Sequence, residues 1–206
     1  MEAVAVTEGL WIWRTQHPEW APGSDWEASV TSTCVEAGSE VLLLDPLAPA
    51  PEARGLWARF DARPPTAVVV LKPDHVRDVD LFVRRYRARA FGPDLFFRDN
   101  IPRTELEPIY PGTRLPGGLV ALHDGRGKSE TPLWLPDHRA LVFADALTAR
   151  EGRLRVWATP WHEQAVLPAL RALLELSFEH VIVSHGEPVH DRGAYERALE
   201  LPAWGQ

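Results

Sequence analysis

Residues 67–71 read Ala-Val-Val-Val-Leu, an unbroken and mostly β-branched apolar run. Side chains on a strand alternate between its two faces, so a run with no polar member predicts a strand buried on both. Such a strand needs apolar cover above and below, and the segments around it supply candidates. Residues 10–13, 28–35 and 41–45 read as strands, the last two joined by a turn at Ala37-Gly38-Ser39. Residues 52–61 suit a helix. Val76, Val79, Val83 and Tyr86 then recur at helical spacing, with Asp and Arg on the opposite face.

The stretch 92–118 is rich in Pro and Gly and predicts an irregular path over the surface. Residues 119–123, 131–135 and 140–144 are strand candidates. Val166, Leu170, Leu173, Leu174 and Ser177 trace a second amphipathic face, residues 181–184 a second buried strand, and residues 192–201 a closing helix. Hairpins come first and strand–helix units later. This order predicts an α/β fold in which two sheets lie between outer helices. With no linker and no internal repeat, residues 1–206 are expected to form one domain.

Composition narrows the function classes. The formal net charge of −7 argues against nucleic-acid binding, which needs surplus Lys and Arg against phosphate. No segment reaches the roughly 18 apolar residues that would cross a bilayer, so no membrane role is expected, and the N-terminus does not read as a signal peptide. The single cysteine, Cys34, excludes an internal disulfide and a zinc–thiolate cluster. It points to a cytoplasmic protein with a buried, inert thiol. The basic stretch Arg84-Arg85-Tyr86-Arg87-Ala88-Arg89 reads as a solvated helix face, with an anion or partner dock as the alternative. Trp11 and Trp13, two apart, should share a strand face. The Trp-rich stretch 16–26 suits a loop covering either a pocket or a dimer partner, so homodimer and monomer both stay open.

Four stretches carry a resemblance. They are Val41-Leu42-Leu43-Leu44-Asp45-Pro46; Val68-Val69-Val70-Leu71 with the polar, His-containing turn after it; Leu141-Val142-Phe143-Ala144-Asp145-Ala146-Leu147; and Val181-Ile182-Val183-Ser184-His185-Gly186-Glu187-Pro188-Val189. In this order they resemble the metallo-β-lactamase superfamily. The resemblance implies an αββα four-layer sandwich with the active site at one edge of the two sheets, where these strand ends meet. Hydrolases of the superfamily place His-x-His-x-Asp-His after the central strand, another His midway, and then the Asp and His of the later strand ends. These residues hold one or two divalent ions that activate water.

Here that signature is broken. Lys72 stands at the first His, Asp74 at the second, Val76 at the Asp and Arg77 at the last His. The midway stretch 125–131 offers Arg126 and Lys128. Lysine and arginine stay protonated and are poor ligands at neutral pH, while Asp145 and His185 survive. The stretch Asp74-His75-Val76-Arg77-Asp78 also resembles a His-His-x-Arg-Asp variant found in some bacterial members.

Without metal, Asp45, Asp74 and Asp145 would be gathered like charges, which is costly unless cations accompany them. Lys72, Arg77 and Arg126 are the expected replacements, through ion pairs such as Lys72–Asp145 or Arg77–Asp45. The leading expectation is therefore a non-catalytic protein with no resident cofactor. Its old cleft, lined by Lys72, Arg77 and Arg126, would bind a small anion or a partner. The alternative is a hydrolase of esters, thioesters or lactones with a residual zinc site on Asp74, His75, Asp145 and His185. A third reading has His185 and Asp145 as a metal-free acid–base pair. The remaining histidines, His17 among them, read as ordinary surface or capping residues.

Overall fold

The computed structural model describes residues 2–24 and 26–205. Its first sheet runs in chain order through β1 (Val4–Thr7), β2 (Leu10–Gln16), β3 (Ser29–Ala37), β4 (Glu40–Leu44), β5 (Ala67–Val69), β6 (Arg89–Gly92) and β7 (Glu107–Pro108). The pairs from β1 to β4 are antiparallel, and those from β4 to β7 are parallel. The switch follows from the connections. α1 (Arg54–Ala62) and α2 (Val79–Tyr86) return the chain to the same end of the sheet before β5 and β6.

The second sheet has β8 (Val120–Ala121), β9 (Leu133–Leu135), β10 (Ala140–Phe143) and β13 (His180–Val183) in the order β13-β10-β9-β8, with β10 and β13 parallel. A separate hairpin, β11 (Leu147–Arg150) and β12 (Arg153–Val156), precedes α3 (Leu167–Ala172). α4 (Arg192–Glu200) ends the chain's regular structure, with the Asp191 carboxylate capping it at the Gly193 N–H.

Strand alternation sorts the core into three layers. Leu42, Leu44, Ala67 and Val69 of the first sheet meet Leu133, Leu135, Val142 and Ile182 of the second. On the other face of the first sheet, Trp11, Trp13, Cys34, Leu43 and Val68 pack on Leu56 and Phe60 of α1 and on Val79 and Phe82 of α2. On the outer face of the second, Leu141, Phe143, Val181 and Val183 meet Leu167 and Leu170 of α3 and Tyr195 and Leu199 of α4. The architecture is therefore α/β/β/α, as the sequence pattern predicts. Trp11 and Trp13 do share a face, 5.6 Å apart between ring centroids. Cys34 is fully buried, and burial pushes its thiol up.

Several elements depart from expectation. α2 begins at Val79, because Lys72 to Asp78 form a loop in which Arg77 has a left-handed φ of 45°. Its buried residues are Val79 and Phe82, while Val83 and Tyr86 are only partly covered. The irregular stretch after β6 is not purely superficial: Leu106, Ile109 and Leu115 anchor it in the core. The hairpin β11–β12 has no counterpart in the predicted elements. It turns at Glu151-Gly152, both at positive φ, as a two-residue hairpin loop requires. Among the described residues, no helix is long and apolar enough to cross a membrane.

Candidate functional site

The two sheets meet where β4, β5, β10 and β13 end. The Thr31 N–H donates to the Ser184 carbonyl at 2.8 Å, and the Thr131 N–H to the Leu71 carbonyl at 2.8 Å. Each strand end delivers one polar group or loop to this seam. Asp45 follows β4 at a φ of 45°, a conformation that Asp tolerates better than most side chains. Its Oδ1 accepts the Leu71 N–H at 2.7 Å, and its Oδ2 lies 2.8 Å from His75 Nδ1. That second contact fixes the imidazole with Nε2 pointing the other way, 3.4 Å from Asp145 Oδ1.

Asp145 sits on the turn after β10, and a buried acid holds that turn. Glu130, fully shielded from solvent, accepts three successive N–H groups, from Ala144, Asp145 and Ala146, at 2.7–2.8 Å. After β13, His185 is set by its carbonyl, which accepts the Ala149 N–H at 2.9 Å and the Thr148 hydroxyl at 3.3 Å. Its Nε2 lies 3.3 Å from the same Asp145 Oδ1. Neither imidazole aims an N–H bond at that oxygen, which is buried without a hydrogen-bond partner, as is His185 Nδ1.

The cations that the sequence places here are already engaged. Lys72 Nζ bonds Asp74 Oδ1 at 2.6 Å and lies 2.9 Å from Asp145 Oδ2, so the expected Lys72–Asp145 ion pair forms. Burial opposes the charge of Lys72, but Asp145 and Asp74 raise its pKa above the ordinary lysine value. Arg77 does not pair with the Asp45 carboxylate, whose two oxygens are taken by Leu71 and His75. Its Nη1 instead donates to the backbone carbonyls of Asp45 and Thr31, at 2.6 and 2.9 Å, tying loop to sheet. Arg126 lies beneath the seam, 3.2 Å from Glu130.

These contacts set the ionisation. Burial raises Asp145, but the charges of His75 and Lys72 and the close approach of both imidazoles overcome it and hold the carboxyl well below the usual range. Burial lowers His75; Asp145 and Asp45 more than reverse this against Arg77, and the metal-free imidazole reaches about 9. Below them, burial lifts Asp124 to about 6. Burial and the Asp124 charge lift Glu130 to about 7.

The seam opens into a cleft of about 410 Å³ walled by Trp26, Phe97 and Trp157, with Asp74, His75, Arg77, Asp145 and His185 at its polar side. A larger and more apolar groove of about 830 Å³ runs beside α4 and β12. Among the described residues, the one His/Asp/Glu group that could hold a metal lies in the smaller cleft and not in this groove. Trp26 lies edge-on to His185 at 5.6 Å and to His17 at 5.1 Å. The Trp-rich loop thus covers a pocket, and His17, expected to be an ordinary surface residue, is part of its wall. Glu130, Phe97 and Trp157 carry no sequence signal that singles them out. Their roles come from residues far away in the chain.

The structure superposes on the metallo-β-lactamase FIM-1 from Pseudomonas aeruginosa in its mono-zinc form with a TM-score of 0.69 and 16% identity, covering 97% of this chain and 94% of that one. The metallo-β-lactamase from Pontibacter korlensis gives 0.69 and 15%, over 98% and 99%. That from Hirschia baltica gives 0.64 and 18%, over 97% and 96%. The chain has the metallo-β-lactamase fold. No protein-family model and no curated protein matches the sequence significantly. At such identities the likeness is one of architecture.

Among the described residues, one group of donors could hold a metal ion. His75, Asp145 and His185 each offer one donor atom within 4.8 Å of the others. Tetrahedral zinc with ligands near 2.0–2.1 Å places adjacent donors about 3.3–3.4 Å apart, and both imidazole–carboxylate separations fall at that value. The unpartnered Asp145 Oδ1 fits the same role. Asp74, expected as a further ligand, gives its carboxylate to Lys72. Lys72, Val76 and Arg77 supply nothing that a second ion could bind.

Proposed function

We propose that the chain is a single-metal hydrolase of acyl compounds such as esters, thioesters or lactones, with His75, Asp145 and His185 as the metal ligands. The observation that carries this reading is the convergence of two imidazole Nε2 atoms on one unpartnered carboxylate oxygen. A divalent ion bound there would act as a Lewis acid, activating water near neutral pH and polarising an acyl oxygen.

The chain's own residues supply the rest. Asp45 holds His75 Nδ1, the carboxylate–histidine arrangement that orients a ligating ring and raises its basicity. Glu130 fixes the backbone that carries Asp145. Trp26, Phe97 and Trp157 form apolar walls that would seat the acyl group and exclude bulk water. The fold accommodates a one-zinc state in FIM-1, whose structure is a mono-zinc form.

The anion-receptor reading has less support. An incoming anion would have to displace Asp74 or Asp145 from Lys72, and Arg77 has its Nη1 on two backbone carbonyls.

Calorimetric titration of zinc into chelator-stripped protein tests the proposal, alongside hydrolysis of chromogenic esters, thioesters and lactones. The expected result is one equivalent of zinc, with binding at least about tenfold weaker in Asp145→Asn and hydrolysis lost with it. Zinc binding that is absent, or indifferent to Asp145→Asn, would overturn it. Stabilisation by phosphate or carboxylate compounds instead would favour the anion receptor.

A further inference from the structure

We propose that the Lys72 ammonium is a built-in substitute for a second metal ion, so that a neutral residue at position 72 reopens the cleft to another divalent cation. The inference rests on the single-metal reading only for the number of ions expected in the native chain.

Asp145 faces two cation positions at once. Its Oδ1 is turned to the two imidazoles, and its Oδ2 to Lys72 Nζ at 2.9 Å. Asp74 approaches the same ammonium from the other side, at 2.6 Å. The Lys72 side chain is 15% exposed and that of Asp145 19%. Asp74 is more open, at 35%, but with no cation between them its charge would still repel that of the mostly buried Asp145.

An ammonium there has consequences that a metal ion does not. It is present whatever the metal supply, so the seam between the sheets keeps its charge balance in the metal-free protein. It also has no acceptor and no open coordination position. It can hold Asp145 in place but cannot bind water or substrate as a second ion would. Asp74 and Asp145 Oδ2 are then the oxygens left free when the ammonium is removed.

Equilibrium dialysis against zinc alone, with elemental analysis of bound metal, tests this on the native chain, Lys72→Gln and Lys72→Arg. The expected counts are one ion for the native chain, two for Lys72→Gln and one for Lys72→Arg, with the second ion of Lys72→Gln lost on adding Asp74→Asn. In chelator, Lys72→Gln should melt below the native chain, and zinc should remove the deficit.

If Lys72→Gln binds no more zinc than the native chain, the inference fails while the single-metal reading stands. If the native chain binds none and Lys72→Gln gains one, the single-metal reading fails and the inference stands. Lys72→Gln that is unfolded in zinc as well as in chelator also overturns the inference, because zinc then cannot replace the ammonium.

Discussion

Asp45 shows how much of this site depends on one side chain. It is 3% exposed, and its two oxygens serve two different groups, the Leu71 N–H and His75 Nδ1. Replacing it by Ala leaves both without a partner in a closed environment, at a cost of about 1–3 kcal/mol for each buried polar group. Denaturant unfolding of Asp45→Ala in chelator should show a loss within that range or above it. A loss below about 0.5 kcal/mol would mean that water satisfies His75. Charge beneath the site gives a second residue-scale prediction. Asp124 and Glu130 are raised to about 6 and about 7 from ordinary values of 3.8 and 4.5. The stability each contributes is complete below its ordinary value and is lost as pH rises through the raised one. His75, lifted from 6.5 to about 9, acts in the same direction at higher pH. Unfolding free energy in chelator should therefore fall as pH rises from about 5 to about 7.5, and Asp124→Asn should flatten the fall. A rise over that window would contradict the burial of this pair.

At the scale of elements, the site is a meeting of strand ends, and the turns after them do the positioning. Gly186, immediately after His185, has a φ of 102°, and a Cβ there would stand 2.2 Å from the Ala149 carbonyl oxygen. Gly186→Ala must push the β13 end away from β11, at a cost of about 1–3 kcal/mol from overpacking and more from the unfavourable φ. Zinc affinity should fall with stability, because His185 moves with the turn. A Gly186→Ala protein of native stability would show that this close approach does not fix the histidine. The strand ends themselves are legible in the sequence. The runs before Asp45, Lys72, Asp145 and His185 are apolar and short, and burial on both faces writes that pattern directly into composition. Hairpin β11–β12 is not, because Leu147 to Val156 mixes Arg with apolar residues in too short an alternation to stand out. Glu130 is hidden for another reason. Its three N–H partners lie 14 to 16 residues ahead, and no local spacing separates such an acid from a solvated one.

For the molecule as a whole, the four layers follow from periodicity, since each strand presents one face to the other sheet and one to helices. The site follows only in part. Threading the broken motif places Lys72 beside Asp145, as the structure does, because both lie at strand ends whose register the core dictates. It gives Arg77 the wrong acceptor, since saturation of the Asp45 carboxylate by Leu71 and His75 is a property of packing, not of order along the chain. The same limit applies to the aromatic wall, assembled from residues 26, 97 and 157. The proposed single-metal hydrolase has one metal position in this fold, on His75, Asp145 and His185. Anomalous diffraction at the zinc edge from zinc-equilibrated crystals measures it most directly. One strong peak in bonding contact with those three residues is the predicted result. Two peaks in the cleft, or none beside Asp145, would contradict it.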